Sequence, residues 1–213
     1  MKRFLVGLVA ILMLSAVNAA AATLNFIGTG QTHEVTRNDI NPAFNTEIDI
    51  ITGDQKTYGN GLFLDASAGP ADVTYTFLGA EAGNSNFSAI FGGGTFFNRG
   101  GAASTPGDQI TVRQETSGLL DFAFGTYSPL RAIGVFFNDG LAYPGSSNFA
   151  MGFIQIDVNS FYVLFDDIAR GDRDFDDMAI RIDVAAVPIP AGGLLLLSAL
   201  AGALVLRRKS NIA

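Results

Sequence analysis

Phe153-Ile154-Gln155-Ile156-Asp157-Val158-Asn159-Ser160-Phe161-Tyr162-Val163-Leu164-Phe165 reads as two strands joined by a tight turn. Apolar side chains recur at every second position through Ile154, Ile156 and Val158. Successive side chains of a pleated strand point to opposite sides, so this period marks one buried face and places Ile156 inward. Asn159-Ser160 supplies the turn, because short polar side chains bond their own backbone there. Phe161 to Phe165 is the apolar run of the returning strand.

The same period extends outward from this pair. Ile180, Ile182 and Val184 alternate against Arg181 and Asp183. Val73-Thr74-Tyr75-Thr76-Phe77 combines β-branched and aromatic residues, with Phe77 on the inward side. Leu119 to Phe124 alternates, Ile133 to Phe137 is a run of the buried type, and Phe44 to Ile51 alternates through Ile48 and Ile50. Gly, Asn, Asp and Pro separate these runs, and no helical period interrupts them. The pattern predicts an all-β ectodomain over residues 23–186, a single β-sandwich of jelly-roll-like kind. Gly83 to Gly107 is rich in Gly, Asn and Ser. Within it, Gly92-Gly93-Gly94 reads as a loop between strand-like Phe87–Phe91 and Thr95-Phe96-Phe97. It is not a phosphate loop, since no Gly-Lys-Ser/Thr follows.

Composition narrows the chemistry. The 213 residues contain no Cys, no Trp and one His, His33. Disulfide scaffolds, Cys-based zinc sites, Cys nucleophiles and His-rich metal sites are excluded. The 18 Phe admit two readings, core packing and an aromatic ligand platform. Charge is segregated: Lys2 and Arg3 stand at one end, Arg207, Arg208 and Lys209 at the other, and all 20 acidic residues lie between Glu34 and Asp183. The remaining eight basic residues leave the interior at a net charge of −12. Nucleic acid is not an expected partner, because phosphate contacts need a basic face.

Both ends read as targeting segments. Lys2 and Arg3, the apolar run Phe4 to Leu14, and the small-residue site Val17-Asn18-Ala19, with Ala20 to Ala22 as later alternatives, form a signal peptide over residues 1–22. At the other end Val184 to Leu206 carries no charge. Pro188 and Pro190 resist helix, so the helix is expected over 191–206, about 24 Å at 1.5 Å per residue. That is slightly short of a hydrocarbon core of roughly 30 Å, a difference that snorkelling basic side chains cover. Arg207, Arg208 and Lys209 act as the stop-transfer cluster and stay cytoplasmic. The ectodomain is thereby expected outside the cytoplasm, flanked by a signal-peptide helix and a transmembrane helix.

Val187-Pro188-Ile189-Pro190-Ala191, an apolar helix and Arg207-Arg208-Lys209, in that order over residues 187–213, resemble a PEP-CTERM sorting signal, closest to the VPLPA-CTERM variant. Ile189 stands where that variant has Leu, and the Glu of the parent motif is absent. The resemblance implies an exosortase substrate: a Gram-negative protein processed by an exosortase-type membrane peptidase for the cell surface or the extracellular polysaccharide. The stretch Val73 to Phe91, opening V-T-Y-T-F-L-G-A-E-A-G-N, resembles a segment common in ectodomains that carry such tails.

One internal segment concentrates charge. Phe165 to Met178 places six carboxylates, Asp166, Asp167, Asp172, Asp174, Asp176 and Asp177, within twelve residues. Asp172-x-Asp174-x-Asp176 matches the opening of an EF-hand loop, but Asp177 occupies the position that needs Gly and Met178 to Val184 alternates like a strand, so an EF-hand is excluded. The segment resembles an acidic stretch of a DUF4114-type domain, a β-rich module of bacterial surface proteins. That resemblance implies a loop joining the last two strands. Two readings stand: a Ca²⁺ site built from these oxygens, and an acidic turn whose Asp side chains cap backbone groups.

The expected function is a non-enzymatic, secreted surface or matrix protein, anchored in the inner membrane by its tail and linked to extracellular polysaccharide or biofilm. The alternative is a Ca²⁺-dependent carbohydrate-binding module at the cell surface. Catalytic residues are not expected. Paired carboxylates do run glycoside hydrolysis, but clustering in sequence does not set the separation that chemistry needs.

Overall fold

The computed structural model describes residues 22–28, 54–55, 61–128, 131–140, 149–167 and 175–187. The expected signal peptide through Ala21, His33, the run Phe44 to Ile51, and the chain from Pro188 onward lie outside the described residues. Among the described residues every regular element is a strand. In chain order these are β1 (Thr23–Ile27), β2 (Asp54–Gln55), β3 (Gly61–Asp65), β4 (Ala71–Gly79), β5 (Ser85–Ile90), β6 (Gly94–Phe97) and β7 (Gln109–Gln114). They continue with β8 (Gly118–Leu119), β9 (Phe122–Ser128), β10 (Arg131–Phe137), β11 (Ala150–Asp157), β12 (Ser160–Asp166) and β13 (Met178–Ala186).

The strands pair antiparallel into three sheets, ordered β1-β3-β8, β10-β9-β5-β6 and β2-β11-β12-β13-β4-β7. The alternation of β13 reads directly into the six-stranded sheet. Ile180, Ile182 and Val184 stand opposite Phe77, Tyr75 and Val73 of β4, and all six are buried. Arg181 and Asp183 face the other way and form an ion pair at 2.8 Å.

The hairpin β11–β12 forms as expected, but one inward assignment is corrected. Met151 and Phe153 carry β11 into the main core, whereas Ile154 faces a smaller cluster on the opposite side of the sheet. Ile156 and Val158 are exposed. Both faces of β11 are apolar, so period alone could not say which face meets the core. The register also shifts between Gln155 and Asp157, leaving Ile156 at the irregularity. The turn is Val158-Asn159, with the Asn159 N–H bonded to Asp157 Oδ1 at 2.7 Å, and Ser160 opens β12.

The main core takes aromatic rings from all three sheets. Phe124 of β9 stacks on Phe165 of β12 at 5.0 Å, Tyr75 of β4 meets Phe122 of β9 at 6.0 Å, and Phe77 of β4 stacks on Phe96 of β6 at 5.8 Å. Phe26 of β1 packs on Phe153 at 5.2 Å. Burying each ring contributes about 1.5–3 kcal/mol, which accounts for most of the Phe-rich composition. The glycine-rich stretch is a tight turn: Ile90 pairs with Gly94 across Phe91-Gly92-Gly93. Gly92 has φ 80°, and a Cβ on Gly93 would run into Ile110 and Val112 of β7. Glycine there lets the β5–β6 turn dock on the edge of the six-stranded sheet.

Candidate functional site

The acidic segment joins β12 to β13. Asp166 ends β12 and Asp167 follows it, and both are buried. Asp176 and Asp177 stand half-buried immediately before β13. Asp172 and Asp174 lie outside the described residues. Between the two halves, Phe175 holds the left-handed region at φ 55° while its ring is buried. A bulky residue rarely adopts that conformation. The ring is held in the cluster formed by Ala150, Ile154, Tyr162, Leu164 and Ala179 on the outer side of the six-stranded sheet.

Asp167 sits at the centre of a polar seam. Its N–H donates to Asp177 Oδ2 at 2.7 Å, which ties the two ends of the connection together. Its Oδ1 accepts from Asn84 Nδ2 at 3.0 Å and its Oδ2 from Asn86 Nδ2 at 2.8 Å. Asn86 Nδ2 also reaches the Asp177 carbonyl at 3.4 Å. Asn98, just past β6, holds the asparagines from the other side. Its Oδ1 accepts the Asn86 N–H at 2.7 Å and its Nδ2 donates to the Asn84 carbonyl at 3.0 Å. Arg99 Nη2 donates to the Ala82 carbonyl at 2.6 Å, and the Glu81 N–H donates to the Asp176 carbonyl at 3.0 Å.

Two of the six acidic residues, Asp167 and Asp177, are thus brought into one hydrogen-bonded group, with their oxygens accepting N–H donors. Burying a carboxylate is costly unless donors surround it, and here two amides do so. Asn84, Asn86 and Asn98 lie within the Gly/Asn/Ser-rich stretch 83–107 and carry no periodic mark in the sequence; the Asn84-x-Asn86 spacing at the opening of β5 is the one signal for them. Among the described residues no group of three or more His, Cys, Asp or Glu converges as metal ligands. Asn86 Oδ1 is buried and has no hydrogen-bond donor among the described residues.

Of the residues expected to form a sorting motif, Val187 is half-buried directly after β13. Pro188, Ile189, Pro190 and Ala191 lie outside the described residues, as do Arg207, Arg208 and Lys209. Comparison with known proteins finds no matching family model, curated protein or solved structure. A functional reading therefore stands on the residues of this chain.

Proposed function

We propose that this chain is an exported, non-enzymatic surface or matrix protein, delivered by its PEP-CTERM-like tail and associated with extracellular polysaccharide. Its six- and four-stranded sheets form the two layers of a jelly-roll-like sandwich, the ectodomain of the mature protein. The observation that carries the reading is where the strands stop. β13 ends at Ala186, its last buried side chain is Val184, and Ala185 and Ala186 are exposed. Val187-Pro188-Ile189-Pro190-Ala191 follows at once. A peptidase acting on that motif meets chain that has already left the last strand, and the sheet survives the cut. Asp167 and Asp177 serve this scaffold by tying together the two ends of the β12–β13 connection. Deleting residues 187–213 is the test: the truncated protein should move from the membrane to the periplasm or medium, and unchanged membrane retention would overturn the reading.

A second reading, a Ca²⁺-dependent carbohydrate-binding module, is favoured by one observation. The unpartnered Asn86 Oδ1 belongs to the same amide that meets Asp167 and the Asp177 carbonyl. Ca²⁺ takes six to eight oxygens, and Asp166, Asp167, Asp172, Asp174, Asp176 and Asp177 would be its carboxylate supply. A rise in melting temperature with millimolar Ca²⁺ over EGTA, absent with Mg²⁺ and lost in Asp174→Asn, would establish it. Equal melting in Ca²⁺ and EGTA would remove it.

A further inference from the structure

The outer face of the four-stranded sheet is aromatic. Cross-strand register places Phe97, Phe87, Gly125 and Val135 in one row across β6, β5, β9 and β10, and Thr95, Ala89, Ala123 and Phe137 in the next. Their neighbours in sequence, Phe96, Ile90, Phe124 and Phe136, point into the main core, so these rows face away from it. Phe91 adds a fourth ring beyond the second row, lying 6.1 Å from Phe137 with planes 14° apart. Phe91, Phe97 and Tyr127 are 42%, 38% and 52% exposed.

The middle strand shows how the rings lie. Ala123 and Gly125 belong to the outward rows, yet both are buried. A Cβ on Gly125 would run into the Phe87 ring. The Phe87 ring therefore lies over Gly125 of the central strand, and Phe97 follows it at 6.5 Å with planes 46° apart. Neither row contains a charged residue. Hydrogen-bonding groups stand at the ends instead. The Asp121 carbonyl accepts the Phe91 N–H at 3.1 Å, which sets the exposed Asp121 beside one end, and Tyr127 pairs with Ser85 at the other.

The patch is too small for a stable protein interface. Four strands at roughly 4.8 Å and the six steps from Ser85 to Phe91 at roughly 3.4 Å give about 300 Å². A standard interface needs about 800 Å² on each partner. An aromatic strip with no charge within its two rows, and with Asp121 at one end and Ser85 and Tyr127 at the other as hydrogen-bonding groups, suits an uncharged ribbon whose faces are C–H and whose edges are hydroxyl. Equatorially linked sugar chains have that form.

We propose that this face binds a neutral β-1,4-linked polysaccharide, with Phe91, Phe97 and Tyr127 as its exposed contact rings. The proposal deepens the polysaccharide association put forward above and rests on that reading. Binding at this face does not depend on Ca²⁺.

The test uses full-length protein in lipid nanodiscs, with EGTA present, and three probes: cellulose, a soluble β-1,4-mannan and a polyuronate. The protein should be retained on at least one of the two neutral polymers and not on the polyuronate. Phe91→Ala and Tyr127→Ala should each weaken retention about tenfold, with melting temperature unchanged, while Phe91→Tyr keeps a ring and should retain binding. Absence of retention on both neutral polymers, or retention indifferent to Phe91→Ala and Tyr127→Ala, overturns the proposal. So does a self-association that Phe91→Ala abolishes without any glycan retention, which would assign the face to a second copy. Protein found at the surface but unable to bind sinks this proposal alone. Protein that binds but stays cytoplasmic sinks the surface reading instead.

Discussion

The side-chain amide of Asn138 grips the backbone of Leu62 at both its polar groups. Oδ1 accepts the Leu62 N–H at 3.0 Å and Nδ2 donates to the Leu62 carbonyl at 3.0 Å. Nδ2 also donates to the Leu120 carbonyl at 2.8 Å, and the Asn138 N–H donates to Phe122 at 3.0 Å. One buried side chain thereby joins β3 of the three-stranded sheet to the end of the four-stranded sheet. The approach is so close that a Cβ on Gly61 would collide with the Asn138 carbonyl. Asn138→Ala leaves the Leu62 N–H and the Leu120 carbonyl without this partner, while the Leu62 carbonyl keeps the Leu120 N–H at 2.9 Å. Each buried group left unpaired costs about 1–3 kcal/mol, so denaturant unfolding should show a loss of at least about 2 kcal/mol. A loss within 0.5 kcal/mol, the range of ordinary surface substitutions, would show that water replaces the amide.

The corrected phasing of β11 makes a paired prediction. Phe77 is buried in the main core and Ile156 is 40% exposed. Phe77→Ala should cost about 3–5 kcal/mol, and Ile156→Ala about 0.5 kcal/mol or less, measured by the same unfolding titration. Equal costs would contradict the face assigned to each.

The Asp167 seam predicts a third loss. Asp167→Ala strands the buried Asn86 amide and the Asn84 amide together, for about 1–3 kcal/mol per buried donor. Asn84→Ala in the Asp167→Ala background should then cost less than Asn84→Ala alone, because the bond is already gone. Additive costs would mean the two side chains do not act on each other.

Alkaline pH provides a fourth. Burial raises the Tyr75 phenol above its ordinary value, and the nearby Asp121 charge adds to the rise. The folded protein therefore holds that proton more tightly than the unfolded chain. Stability from this group is complete below the unfolded pKa of about 10 and is lost as pH rises from there toward the folded value. Unfolding titrations should be flat with respect to this group up to about pH 9 and fall above about pH 10. Tyr75→Phe should fall less steeply. An identical slope in the variant would contradict the assignment.

What could be read in the sequence followed the contrast between faces. Ile180, Ile182 and Val184 against Arg181 and Asp183 gave the correct face of β13, because only one face is apolar. Ile154 and Ile156 misled, because Met151 and Phe153 make the other face apolar too, and Phe175 covers part of the outer one. The acidic segment was expected to join the last two strands; β12 ends at Asp166 and β13 begins at Met178, with residues 168–174 outside the described residues. Its fastening was not legible. Asp167 meets Asn86 across 81 residues and Asn138 meets Leu62 across 76, and single asparagines carry no periodic mark that announces such a partner. The 18 Phe divide in the same way. Most of those among the described residues are buried, but Phe87, Phe91, Phe97 and Phe137 line the outer sheet face, which composition could not separate from packing.

We propose export followed by processing at both ends of the chain. Intact-mass and terminal-peptide measurement of the protein recovered from the cell surface or medium tests it most directly. The account predicts an N-terminus within residues 20–23, following the small-residue site at Val17-Asn18-Ala19 and its later alternatives. It predicts a C-terminus at or near Val187 to Ala191, with Arg207, Arg208 and Lys209 absent. Recovery of the chain from the cytoplasm with Met1 and Ala213 both present would contradict it.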